Sequence, residues 1–355
     1  MGAICPLFDN LFQKEGEQAP SASCADDEEL MRLVESLKIK ISIIGCGGGG
    51  SNTVRRMHQG NVEGVNLVAL NTDARHLLSI QAPHKILIGR SMTKGLGSGS
   101  IPEIGQRAAE ESENEIWKHV DGQNIVFVVA GMGGGTGTGS APVVAEMAKK
   151  AGALTIGVVT LPFRAEGTVR MTNAIKGLER LKEKCDTTIV LQNDRLLELV
   201  PKLPLEAAFR VTDEVLMQSI RGITDALTKP GLVNIDFNDL LTIMRNGGMA
   251  LIGLGESSEY GQRAEACIED ALSSPMLGSI DIKQAKGALV RVVGGDDLTV
   301  TEAEKSALLV SEAVDPRARI IWGCAVNPDL SGSMRVLVVL TGVKFNSIVD
   351  SIKGK

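Results

Sequence analysis

From Ile39 onward the chain alternates short apolar runs with segments of helical period. KIKISIIG (38–45), VNLVAL (65–70), KILIG (85–89), IVFVVA (125–130), LTIGVVT (154–160) and TTIVL (187–191) read as strands. Between them VRRMHQG (54–60) and IPEIGQRAAEESENEIWKHV (101–120) read as helices, as does the segment after Glu166, where Ile175, Leu178, Leu181 and Cys185 recur at helical spacing. Strands without a polar face need cover on both sides, so repeated β–α units of this kind predict a parallel sheet with helices on each face. Ligands of such sheets bind outside the carboxyl ends of the strands.

A 3.6-residue apolar period then runs from about Pro204 to Lys229 through Leu205, Ala208, Phe209, Thr212, Val215, Leu216, Ile220, Ile223 and Leu227, and Pro230-Gly231 stops it. Beyond it ALIGLGE, GALVRVVGG, ARIIWGCAVN and MRVLVVLTGV predict strands, with helices at RAEACIEDALSS and TEAEKSALLVSEAV. The expected organisation is an extension over 1–37, a first α/β domain over 38–203, a connecting helix over 204–230, a second, smaller α/β domain over 231–345 and a short tail over 346–355. Residues 13–29 are polar, acidic and rich in small residues, a composition that predicts disorder. Leu7, Phe8, Leu11 and Phe12 share one helical face, which is either a stray apolar cluster or a short anchor for a partner or membrane surface.

At 43% hydrophobic and 23% charged residues the composition is that of a soluble globular protein, and the net charge of −6 argues against a general nucleic-acid binder. Six scattered cysteines without a CxxC pair, and four histidines without HExxH spacing, disfavour a zinc site and a disulfide scaffold. No apolar run approaches a membrane span, and the N-terminus lacks a signal pattern and, with Pro6, a myristoylation motif. The expectation is a cytoplasmic protein.

Three glycine-rich stretches follow strands. In GCGGGGSN (45–52), Gly45, Gly47 and Gly50 satisfy G-x-G-x-x-G, and Asp73 ends a later strand where a ribose-binding acid would sit. A nicotinamide-dependent enzyme is therefore open, and a tight strand–helix turn explains the pattern equally well. GLGSGS (95–100) is by default a flexible turn, or else a cap over phosphates. GMGGGTGTGS (131–140) holds six glycines and adds the hydroxyls of Thr136, Thr138 and Ser140, but no P-loop lysine follows. Bare amides leading into a helix N-terminus form an anion nest, and glycine is costly where it is not needed. Three such stretches on one sheet imply more phosphates than a dinucleotide carries. Phe209 and Asp213, one helical turn apart, could stack on and select guanine, although pattern alone favours a core Phe beside a solvated Asp. In NIDFND (234–239), Asp236 and Asp239 read first as an N-cap and a first-turn acid.

Together these motifs resemble the tubulin/FtsZ superfamily. GGGTGTGS (133–140) is its signature, and GCGGGGSN, NTDA (71–74), GLGSGS, the LPF…EG..R run from Leu161 to Arg170, Phe209…Asp213 and N-x-D-F-x-D (234–239) stand around it in order. The resemblance covers about 39–345 and implies a Rossmann-like GTPase domain with a parallel sheet, a long central helix and a second, smaller α/β domain. It implies that Gly47, Gly48, Gly49, Gly50, Gly97, Ser98, Gly99, Gly133, Gly134, Gly135, Thr136, Gly137, Thr138 and Gly139 cradle the phosphates of GTP or GDP, bound with Mg2+. Asn71 and Asp73 belong to the same site through NTDA. Asn52, Asn193, Phe209 and Asp213 would hold guanine, and Glu166 and Arg170 would contact the ribose and phosphate side. Asn234, Asp236 and Asp239 would act on the GTP of a neighbouring copy. About 15 residues of helix separate Asp213 from its far end, roughly 22 Å, too far for these acids to reach their own γ-phosphate easily. The implied assembly is a head-to-tail homopolymer of the division ring at mid-cell.

There are departures. Ser98 stands where the family usually has Gly or Ala, Ser100-Ile101 where a glycine and a small polar residue are common, and Gln192 where a proline often precedes Asn193. A weakly hydrolysing structural polymer is therefore an alternative. Family members commonly add a linker and a terminal peptide for membrane adaptors, for which Leu7–Phe12 is the candidate substitute here; a second FtsZ-like protein is a further candidate partner.

Overall fold

The computed structural model describes residues 38–199, 205–229, 231–259, 261–277 and 281–344. The extension over 1–37, with its Leu7–Phe12 face and its expected disorder, and the tail over 346–355 lie outside the described residues. The described residues from Ile39 on form one compact unit.

β1 (Ile41–Cys46) runs straight into α1 (Gly47–Gln59), followed by β2 (Val65–Asn71), α2 (Ala74–Ser79) and β3 (His84–Leu87). Next come α3 (Arg90–Thr93), α4 (Pro102–Glu111), α5 (Glu113–Val120), β4 (Ile125–Gly131), α6 (Thr136–Lys150) and β5 (Leu154–Leu161). A 3-10 turn at Arg164–Glu166 leads to α7 (Thr168–Lys184), β6 (Thr187–Gln192), α8 (Asn193–Leu199), the long α9 (Leu205–Thr228) and α10 (Phe237–Met244). The chain then builds β7 (Gly248–Ser257), α11 (Arg263–Ser273), β8 (Gly287–Gly294), α12 (Val300–Ala313), β9 (Arg319–Val326) and β10 (Met334–Val343).

All ten strands share one sheet, ordered β3-β2-β1-β4-β5-β6-β7-β10-β8-β9. The pairs from β3 to β7 are parallel, β10 is antiparallel to both β7 and β8, and β9 is parallel to β8. The sheet is thus mostly parallel, with one antiparallel strand in its second half. Strand parity explains the apolar runs. Ile41, Ile43, Ile125 and Phe127 pack with Val54 and Met57 of α1 and Leu216, Ile220 and Ile223 of α9. Ile44, Cys46, Val126 and Val128 face the other way, against Ala108 of α4, Ile116 of α5, Val144 of α6 and Leu178 of α7. Both faces are dry, which is why no polar alternation appears in these strands.

Two expected elements differ. The single helix over 101–120 breaks at Ser112 (φ −103°, ψ 19°), whose buried hydroxyl accepts from the Gly89 amide at 3.2 Å. More important, two of the glycine stretches are helix rather than loop. α1 begins at Gly47 and α6 at Thr136, with Pro142 inside it. Glycine and proline disguise these first turns, because both are poor helix formers.

Candidate nucleotide site

The starts of α1 and α6 meet at the carboxyl ends of β1 and β4. Gly47 sits at φ +70°, and a Cβ there would lie 2.6 Å from the Gly137 amide nitrogen. Gly47–Gly50 and Thr136–Gly139 are therefore opening turns of two adjoining helices, and Gly133–Gly135 lead into the second. Neither helix carries an acid in its first turn, so two positive dipole ends and their orphan amides converge without a countercharge. Not every glycine presents its amide. Gly139 donates to Gly135 O at 3.0 Å, and its Cβ would lie 2.0 Å from Pro102 O. Its role in the fold is close packing of α6 on α4.

The 95–100 stretch closes over this junction. Gly97 (φ +88°) donates to Thr72 O at 3.1 Å, and Asp73 and Leu96 form a bridge. Ser98 is buried, with its Oγ 2.9 Å from Thr136 Oγ1, which in turn lies 2.7 Å from Thr72 Oγ1. The departure from Gly or Ala at Ser98 thus knits three loops through hydroxyls. Ser100 occupies φ +64°, a left-handed conformation that a glycine adopts at less cost. Cys46 at the turn is no nucleophile, since burial pushes its thiol up to about 12.

Asn71 ends β2 and Asp73 caps α2, accepting from the Arg75 and His76 amides at 2.9 and 3.0 Å. A residue absent from the sequence reading sits here. Asn71 Oδ1 accepts from the Asp73 amide, so its Nδ2 faces His76 Nδ1 at 3.1 Å. In the neutral ring Nδ1 is then the acceptor, which leaves Nε2 as the N–H donor. That Nε2 lies 4.0 Å from where a Cβ on Gly48 would be, at the mouth of the first glycine turn. A histidine after NTDA was the available signal.

The other end of the site is built by β5, β6 and α9. Phe209 is 40% exposed and meets Phe163 edge-on, with centroids 5.1 Å apart. The Phe163 amide donates to Glu166 Oε1 at 2.9 Å, and Glu166 pairs with Arg170. Asn193, at the end of β6, is buried, and its Oδ1 has no hydrogen-bond partner. Asp213 accepts from Arg56 of α1 at 3.2 Å, a second residue missed from the sequence because 157 positions separate the two. Burial pushes the Asp213 carboxyl above its ordinary value, and Arg56 pulls in the opposite direction. Asn52 is half-buried on α1.

Asn234, Asp236 and Asp239 are exposed and lie elsewhere. Asn234 Oδ1 accepts from the Gly231 amide at 2.7 Å, and Asp236 caps α10 through the Asp239 amide at 2.6 Å. Met244, at the end of α10, accepts from Thr187 Oγ1 at 2.5 Å. Thr187 opens β6, so α10 is tied to the amino edge of the sheet, whereas the glycine turns are at the carboxyl edge. The structure therefore gathers the glycine turns with Thr72, Ser98 and Thr136, joins α1 to Asp213 through Arg56, and leaves these three apart.

Among the described residues no group of three or more His, Cys, Asp or Glu could hold a metal ion. A magnesium ion carried by nucleotide phosphates needs only one or two protein oxygens, and Asp73 fits that demand because Oδ1 alone serves the α2 cap.

The model of the tubulin/FtsZ family GTPase domain matches residues 40–201, and that of the FtsZ family C-terminal domain matches 248–344. Cell division protein FtsZ 1 of Archaeoglobus fulgidus is 53% identical over 323 residues, which are 91% of this chain and 87% of that protein. Cell division protein FtsZ of Haloferax mediterranei is 53% identical over 318 residues, 90% of this chain and 84% of its own length. An FtsZ dimer from M. jannaschii superposes with a TM-score of 0.86 at 49% identity, covering 91% of this chain and 93% of its own. GDP-bound CetZ1 of Haloferax volcanii, at 23% identity and a TM-score of 0.77 over 89% of this chain and 97% of its own, shares the fold. These matches displace the dinucleotide reading of Gly45–Gly50: the chain belongs to the FtsZ family of tubulin/FtsZ GTPases.

Proposed function

We propose that GTP lies along the carboxyl edge of the sheet and is hydrolysed when a second copy stacks head to tail on it. The phosphates rest on the amides opening α1 and α6, with the Ser98–Thr136 hydroxyls beneath and His76 Nε2–H donating from the side. Guanine stacks on Phe209 and gives its N1–H and N2–H2 to Asp213 and Asn193. Asn234, Asp236 and Asp239 of the next copy orient the attacking water. Asp73 would hold, on the protein side, the Mg2+ that accompanies the nucleotide, and the ion would supply charge stabilisation on the phosphates. Bound GDP remains after hydrolysis. Open head-to-tail contacts give a filament, and the family's role assigns that filament to the division site. The domain boundaries at 203, 230 and 345 belong to the same reading.

One observation carries this reading: the exposed acids and the anion nest occupy opposite edges of the sheet. Exposed apolar residues at both edges support it, Leu96 (84%) and Val169 (74%) beside the nest and Leu232 (65%) beside the acids. Light scattering with phosphate release, in GTP and Mg2+, tests it. Wild type and Asp239→Ala both polymerise, and only wild type hydrolyses. Normal hydrolysis by isolated Asp239→Ala monomers would sink the shared site.

A further inference from the structure

Ser98–Ile101 is a tight turn, closed by the Ile101 amide donating to Ser98 O at 3.1 Å. Both central residues are left-handed, Gly99 at φ +60° and Ser100 at φ +64°. Glycine takes that conformation freely, but a serine keeps it only where its surroundings over-determine it. Here they do so from three sides. The Gly97 amide donates to Thr72 O at 3.1 Å, and Asn173 Nδ2 of α7 donates to Ser100 O at 3.4 Å. On the third side the turn lies directly on the residue before α6. A Cβ on Gly135 would be 2.3 Å from Ser98 Oγ and 2.7 Å from the Ile101 amide nitrogen.

Ser98 adds a side-chain tie. Its hydroxyl and those of Thr136 and Thr72 form a row with spacings of 2.9 and 2.7 Å, and all three residues are buried. Each hydroxyl carries one proton, and the contacts within the row use all but one of the protons. The row can therefore run in either direction, with the spare proton on Thr72 or on Ser98. Run from Thr72, it leaves the Ser98 proton free for a phosphate oxygen. Run from Ser98, it needs no outside acceptor. The Ser98–Thr136 tie exists in both cases. Like the backbone ties it joins protein atoms, so it is equally available beside a diphosphate and a triphosphate. An alanine or glycine at this place, as is usual in the family, has no hydroxyl to make it.

We propose that Ser98 is a positioning residue whose hydroxyl latches the 95–100 turn over the phosphates of GDP as well as GTP, and so sets how fast nucleotide enters and leaves. The inference rests on the placement of the phosphates proposed above. A group that only gripped the phosphates would slow release and leave entry alone. A latch that must open for either event slows both. Its removal then speeds both by one factor, and Kd moves less than either rate. One neutral hydrogen bond accounts for a factor of about 2–10.

Stopped-flow fluorescence of N-methylanthraniloyl-GDP on the full chain tests this. Entry is read from the concentration dependence of binding, and release from a chase with unlabelled GDP. Ser98→Ala raises both rate constants about 2–10-fold, with a smaller change in Kd. Asn173→Ala, which removes a backbone tie of the same turn from outside the phosphate nest, raises both as well. Gly134→Val, with a branched side chain at the proposed phosphate site, is the control on that placement and loses GDP affinity. If Gly134→Val instead binds GDP as wild type does, the phosphates are not on the nest and the latch falls with them. If that control holds, wild-type rates in Ser98→Ala, or faster release with unchanged entry, overturn the latch and leave the placement standing.

Discussion

Guanine offers N1–H and N2–H2 donors on one edge, where adenine has a bare N1, so acceptors short of partners discriminate between the two bases. Asn193 Oδ1 has no partner, and Asp213 is held by Arg56. Losing one hydrogen bond to a charged group costs about 1.5–3 kcal/mol. Asp213→Asn should therefore lower the GTP-to-ATP affinity ratio by roughly 10–100-fold, and an unchanged ratio in competition binding removes Asp213 from base selection. The pH dependence has a definite sign. Because burial raises the Asp213 pKa, the free protein takes up a proton there at a higher pH than an ordinary aspartate does. On the proposed reading guanine needs the ionised form, so GTP affinity should fall as pH is lowered through that raised pKa. In Asp213→Asn this part of the fall disappears. Motif residues were legible in the sequence because each glycine stretch is contiguous. Arg56 and His76 were not, since their partners are fixed by the α1–α9 packing and by the amide orientation of Asn71.

Elements explain why six glycines crowd into ten residues. Gly134 opens on space, with nothing within 4 Å of its would-be Cβ, whereas Gly139 is jammed against α4, its Cβ 2.0 Å from Pro102 O and 2.5 Å from Gln106 N. Gly139→Ala should cost about 2 kcal/mol through overpacking and lower Tm by several degrees. Gly134→Ala should leave Tm unchanged, and equal Tm losses in the two would refute this division of labour. A second element-scale tie lies between α11 and α12, where Arg263 donates to Glu302 at 2.6 Å and holds its carboxyl down from 4.5 to about 2. A depressed carboxylate stabilises the fold above its unfolded value and loses that contribution as pH falls. Glu302→Gln should therefore flatten Tm against pH between 4.5 and about 2, while wild type declines across it. Strand positions were readable because both sheet faces are covered, so apolar continuity marked each run. Helix starts were not. The first turns of α1 and α6 are built from the least helical residues, which are there for close approach and bare amides, and Pro142 mimics a helix start six residues late.

For the whole molecule the geometry makes a statement about copies. Asp213 lies 15 residues before the end of α9, roughly 22 Å along its axis, and the acids follow beyond that end. On the proposed reading, an active site needs the nucleotide face of one copy and the 234–239 face of the next. Two inactive variants should then complement each other. Asp239→Ala keeps its nest and lacks the acid. Gly134→Val adds two carbons beyond the open Cβ position and places a branched side chain at the proposed phosphate site, with GTP-independent Tm as the check that the fold is kept. In an equimolar mixed filament, an interface works only where an Asp239→Ala nucleotide face meets a Gly134→Val acid face. With random order that is one half times one half, about a quarter of interfaces. Phosphate release from the mixture should approach about a quarter of the wild-type rate per chain, although each variant alone is nearly silent. A mixture as silent as its components, in filaments shown to contain both chains, would mean that each copy completes its own site and that the distance along α9 is bridged within one molecule.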